Sequence, residues 1–77
     1  MEIKKFIELF AEQFDDTDVN LLAPETKFKD LDEWSSLIAL SIIALADEEY
    51  DVALRGDDIR NSLTIEDLFN AIKSKVE

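Results

Sequence analysis

The chain has 77 residues, enough for a single domain, and a formal charge of −11 from 8 basic and 19 acidic side chains. Such a field repels nucleic acid and anionic membranes and favours partners with basic patches. There is no Cys and no His, which excludes a disulfide framework, a zinc cluster, and Ser-His or Cys-His catalysis.

Hydrophobic residues make up 47% of the chain, enough for a core, and the single Gly and single Pro argue against a turn-rich β fold. Leu, Ala, Glu and Lys dominate, which favours helix. The first element follows directly. Ile3, Phe6, Ile7, Phe10, Ala11 and Phe14 recur at i, i+3, i+4, i+7, i+8 and i+11, predicting a helix over 3–14 with one apolar face.

Residues 15–35 show no sustained period, and Asp15-Asp16-Thr17-Asp18 and Pro24 mark irregular backbone. A connection this long is expected to pack over the core. Val19, Leu21, Leu22, Phe28 and Leu31 are its expected anchors. Asp16-Thr17-Asp18-Val19-Asn20 begins like a calcium loop. Leu21 stands where the turn glycine belongs and Lys27 where the bidentate glutamate belongs, so a solvated acidic turn is expected and no metal site.

Residues 36–50 are expected to form the second helix, about 22 Å long at 1.5 Å per residue. Ser35 is its expected N-cap and Ser36 lies in its first turn. Leu37, Leu40, Ala44 and Leu45 make a stripe, Ile38 and Ile42 extend it, and Ala39, Ile43 and Ala46 widen it further. A helix apolar nearly all round is either central to the bundle or partly given to a partner or apolar ligand. Ile38 and Ile42, four apart, are candidates for the partner-facing side. Asp47, Glu48 and Glu49 close the helix at the negative end of its dipole, where acids are unfavourable. A solvated face meeting a basic partner fits them better than paired catalytic carboxylates, which need an apolar or like-charged pocket.

After a link over 51–55, residues 56–61 are expected to form a short helix capped by Gly56 or Asp57. Thr64-Ile65-Glu66-Asp67 has the form of a capping box and opens a last helix with the stripe Ile65, Leu68, Phe69, Ile72 and Val76. Lys73 and Lys75 near its end suit the dipole. The expected architecture is all-α: one domain over 1–77, three main helices, one short one, and a long first loop. No apolar stretch reaches membrane-spanning length and Glu2, Lys4 and Lys5 interrupt the start, so a cytoplasmic protein without membrane insertion is expected.

The two adjacent serines admit a plain reading and a chemical one. A phosphate ester on Ser36 would meet unpaired backbone N–H groups and the positive end of the helix dipole. From about Ile3 to Val76 the chain resembles the acyl carrier, or phosphopantetheine-binding, protein family. Glu33-Trp34-Ser35-Ser36-Leu37 is similar to the family's EWDSL string, with Ser35 in the place of the aspartate. LADEEYDVAL resembles its ALEEEFDIEI, LTIEDLFNAI resembles the opening of its last helix, and LLAPETKFKDL resembles its segment I.PDT.F.DLG. The resemblance implies a 4′-phosphopantetheine arm on Ser36, attached by a phosphopantetheinyl transferase. The arm's thiol would carry acyl or aminoacyl groups as thioesters to acyl-loading and acyl-processing enzymes with basic patches. It further implies a monomer that is not itself an enzyme, with no catalytic residues. The cargo would shelter in a groove lined by the second helix, the last helix and Ile59, and Ile38, Ile42, Asp47, Glu48 and Glu49 would face partners. Ile38 and Ser41 stand where general fatty-acid-synthesis carriers often hold acids, which implies a pathway-dedicated carrier, as in polyketide or other secondary metabolism. The alternative is an unmodified helical adaptor that binds a protein through the second helix.

Overall fold

A computed structural model describes residues 2–15 and 17–76. Four helices, α1 (Ile3–Ala11), α2 (Ser36–Tyr50), α3 (Gly56–Arg60) and α4 (Ile65–Val76), form a small all-α bundle about 31 × 23 × 21 Å, with no strand among the described residues. Two single 3-10 turns, Val19–Leu21 and Phe28–Asp30, punctuate the long connection.

α4 packs against α1, α2 and α3. Its Ile65, Leu68, Phe69 and Ile72 are buried as their spacing requires, while Val76 is half exposed. α1 buries Phe6, Ile7, Phe10 and Ala11. It ends three residues earlier than expected because its last turns tighten from i→i+4 to i→i+3 bonding, with Gln13 N–H on Phe10 O and Phe14 N–H on Ala11 O, both at 3.1 Å. Phe14 still reaches the core. The aromatic rings form a chain through the interior, Phe14 to Phe10 at 5.4 Å, Phe10 to Phe28 at 5.8 Å and Phe28 to Trp34 at 5.0 Å between centroids. These tilted and edge-on contacts suit the quadrupoles of the rings.

The long connection is packed and bonded rather than free. Leu22 and Phe28 are buried and Leu31 packs against the core. Val19 and Leu21, in the first 3-10 turn, are exposed, contrary to their expected role as anchors. Asp18 caps that turn by accepting Asn20 N–H at 2.9 Å, which is a structural use for part of the acidic run. Asp16 lies outside the described residues. The Glu33 carboxylate accepts Asp15 N–H at 3.2 Å and the Thr17 hydroxyl, tying the end of the loop to its beginning.

The capping box of α4 forms as expected. Asp67 N–H donates to Thr64 Oγ1 at 3.1 Å, and the Asp67 carboxylate accepts Leu63 and Thr64 N–H at 3.1 and 3.2 Å. The next two donors are taken by the loop: Ile65 N–H bonds Thr26 O at 3.0 Å and Glu66 N–H bonds Pro24 O at 2.9 Å. The loop thus satisfies the helix donors that would otherwise lack partners. The backbone N–H groups of Leu63 and Thr64 hold the Asp67 carboxyl below its ordinary value of 3.8. Its folded pKa is the depressed one, so its contribution is complete above 3.8 and is lost as pH falls through the folded value. Asp67→Ala is therefore expected to lower the melting temperature at neutral pH. The gap from wild type should narrow in acid, as melting curves across pH would record.

α3 is capped by Arg55 rather than by Gly56 or Asp57. Arg55 N–H donates to the Asp58 carboxylate at 2.9 Å, so the acid three residues on fixes the start. α2 ends at Asp51, whose φ of 55° and ψ of 43° place it in the left-handed region. That conformation lets Val52 N–H return to Ala46 O at 3.1 Å. Aspartate is strained there and its charge opposes the helix dipole. Asp51→Gly is expected to add about 0.5–1 kcal/mol of stability. Asp51→Ala, which keeps the strain, should show no comparable rise in denaturant midpoint.

Candidate functional site

The site is built where the loop hands over to α2. Trp34 packs edge-on against Phe28 and is half-buried against the core, which anchors the backbone just before the serines. Ser35 is extended, with φ −155°, and its Oγ accepts Ile38 N–H at 3.3 Å, so it is the N-cap that the sequence implies. Ser36 is the first residue of α2 and is exposed. The first i→i−4 bond of the helix is Ala39 N–H to Ser35 O at 3.0 Å. The N–H groups of Ser36 and Leu37 precede it and face the positive end of the dipole.

Beside Ser36 lies an open groove of about 600 Å³. Trp34, Ala39, Leu40, Ile43 and Ile59 supply its apolar walls. Lys29 and Arg60 stand at its rim, two of the few cations in an acidic chain. Lys29 Nζ donates to Arg60 O at 2.9 Å, which links the second 3-10 turn to the end of α3. Arg60 also pairs with Asp57, both well exposed. Ile59 takes part as expected, but α4 contributes no lining residue, since its apolar side is consumed by the core. Gly56 lines the groove, and a Cβ there would meet only Arg60 Nη1 at 4.0 Å, so the glycine is not required by crowding.

α2 divides its apolar residues differently from the stripe expected. Ile42, Leu45 and Ala46 are buried, and Ile38, Ala39 and Ile43 are partly buried against them. Leu37 and Leu40 are 75% and 61% exposed, and Ala44 is exposed too. Ile42 is therefore core, with no surface to offer a partner, and Ile38 shows only an edge. The exposed apolar pair near the start of α2 is Leu37 and Leu40 instead. The i, i+4 spacing of Ile38 and Ile42 placed them together correctly but could not tell inside from outside. Asp47, Glu48 and Glu49 are exposed at the far end of α2, as expected of a solvated acidic face. Lys29 and Arg60 carried no motif, and only their approach in space marks them.

No protein-family model matches the chain, and no solved structure matches it significantly. Among the described residues no helix is long and apolar enough to cross a membrane, and no three acidic side chains converge as a metal site would require.

Proposed function

We propose that the protein is a discrete acyl or aminoacyl carrier, cytoplasmic and monomeric, whose Ser36 bears a 4′-phosphopantetheine arm. The observation that carries this reading is the setting of Ser36: exposed, at the first turn of α2, and opening onto a groove with apolar walls and a cationic rim. Attachment would join Ser36 Oγ to the pantetheine-side phosphorus of coenzyme A. The pyrophosphate bond breaks, the adenosine bisphosphate leaves, and the hydroxyl proton passes to the transferase. The resulting phosphodiester is an anion at a helix N-terminus, with Lys29 on the groove rim to balance it.

The apolar walls fit the arm and the first part of a cargo. The thiol that forms the thioester comes with the arm, consistent with a chain that has no Cys. The protein supplies no reaction of its own in this reading. It presents the thioester to loading and processing enzymes, with Asp47, Glu48 and Glu49 steering them by charge. The apolar Leu37 and Leu40 beside Ser36 favour a dedicated set of partners over many.

The test is intact mass after incubation with coenzyme A, Mg²⁺ and a broad-specificity phosphopantetheinyl transferase. Wild type and Ser35→Ala are expected to gain one arm, and Ser36→Ala none, with all three melting alike apart from the lost cap at Ser35. That cap is worth about 1 kcal/mol. Failure of wild type with several transferases would favour an unmodified adaptor.

A further inference from the structure

Ser36 stands at the end of a short, heavily pinned stretch. Trp34 N–H donates to Leu31 O at 3.0 Å, which folds residues 31–34 into a turn. The Trp34 ring packs on Phe28, and Ser35 caps α2. Glu33 takes no part in either contact. Its half-buried side chain reaches back across the long connection instead. One carboxylate oxygen accepts Asp15 N–H at 3.2 Å and the other accepts the Thr17 hydroxyl, contacts that span 18 and 16 positions. The far side of this clasp is firm. Phe14, next to Asp15, is buried, and its N–H donates to Ala11 O at the end of α1.

We infer that Glu33 is a positioning residue for arm attachment: its clasp holds the turn before α2 to the end of α1 and so sets where Ser36 Oγ stands. The functional consequence rests on the carrier reading, while the structural one rests on the clasp alone. Among the described residues the exposed Ser36 hydroxyl has no hydrogen-bond partner, so the backbone entering α2 decides its place. A single ring contact at Trp34 leaves the turn free to pivot, and the Ser35 cap travels with α2 itself. The Glu33 clasp supplies the second fixed point.

The carboxylate suits this task. It offers one oxygen to each of two donors, and bonds to an ionised acceptor are stronger than neutral ones. It is turned inward to the loop, so its role differs from that of the exposed Asp47, Glu48 and Glu49. A reacting group displaced by about 1 Å loses about 100-fold in rate. A transferase grips far more surface than this one turn, so loss of the clasp falls on kcat rather than on KM.

The experiment compares the full unmodified chain with Glu33→Ala, Glu33→Gln, Thr17→Val and Asp18→Ala. Arm attachment from coenzyme A is followed by intact mass at varied carrier concentration, and the amides of residues 35–38 by chemical shift. Glu33→Ala is expected to lower kcat by about tenfold or more at unchanged KM for the carrier. Thr17→Val removes one of the two bonds, so it should lower kcat too, and it should add nothing on top of Glu33→Ala. Glutamine keeps an acceptor for Asp15 N–H and a donor for Thr17 Oγ, so Glu33→Gln should recover most of the rate. Asp18→Ala removes the cap of the first 3-10 turn without touching the clasp, and it should accept the arm as wild type does. If Glu33→Gln is as slow as Glu33→Ala, or if the loss is confined to KM, Glu33 is a charged contact for the transferase and the inference is overturned. An equal loss in Asp18→Ala would reduce the effect to loosening of the loop and overturn it as well. The amide shifts decide the matter even where wild type accepts no arm, an outcome that strikes the carrier reading alone. Thr17→Val and Glu33→Ala should both move the Ser36 and Leu37 amides, and Asp18→Ala should not. Amides that stay in place in the first two variants would overturn the inference whether or not attachment succeeds.

Discussion

Ile42→Asp is expected to unfold the protein, while Leu40→Asp, two residues earlier on the same helix, leaves it folded. Ile42 is fully buried in the cluster that includes Phe6, Ile65 and Leu68. Replacing it removes a core side chain, worth about 2–5 kcal/mol, and leaves a carboxylate that must be buried unpaired or forced neutral. A domain of this length has about 4–12 kcal/mol in all. The two costs together consume most or all of it. Leu40 is 61% exposed, and surface changes usually stay within about 0.5 kcal/mol. Circular dichroism melts of both variants check the assignment. A cooperative, near-wild-type transition in Ile42→Asp would mean that α2 is rotated from the orientation described. Ile38→Asp should fall between them, because Ile38 is half-buried and its carboxylate could turn outward to water.

Phe6→Ala is the second large effect expected. Phe6 is fully buried and its ring meets Phe10 at 5.9 Å, Tyr50 at 6.2 Å and Phe69 at 5.6 Å. One side chain therefore joins α1, α2 and α4. Truncation should cost about 3–5 kcal/mol, the range for buried aromatics. For a domain this small each kcal/mol moves the melting temperature by about 4–8 °C, so the midpoint should fall by on the order of 15–30 °C. Phe6→Leu, which refills most of the volume, should recover more than half of that fall. Equal losses in both variants would indicate that the ring contacts, rather than the volume, carry the stability. Chemical denaturation of the two variants separates the cases through their midpoints.

The prominence of these two positions was unequally legible. Phe6 belongs to a stripe on α1 whose other face is polar, so its burial could be read from the chain. The α4 stripe and its capping box were readable for the same reason, since period and cap are local properties. Ser35 as the cap of α2, and Ser36 in its first turn, followed from local chemistry too. Each of these depends on residues within four positions of one another. Arg55 as the cap of α3 was missed, although Asp58 three residues on was a local signal that could have found it.

The face of α2 was not readable. With apolar residues nearly all round, rotating the helix changes little in the sequence pattern, and only packing against α4 and the neighbouring elements turns Ile42 in and Leu40 out. The groove beside Ser36 is likewise a tertiary result. It needs Lys29, Trp34 and Arg60 brought together across the chain, and the Lys29 to Arg60 bond spans 31 positions. The sequence by itself determined which segments are helices, where they start, and that the surface is acidic, because those depend on neighbours along the chain. The tertiary structure alone decided which leucines and isoleucines of α2 face water and which cations stand by the serine, because those depend on what closes over each face.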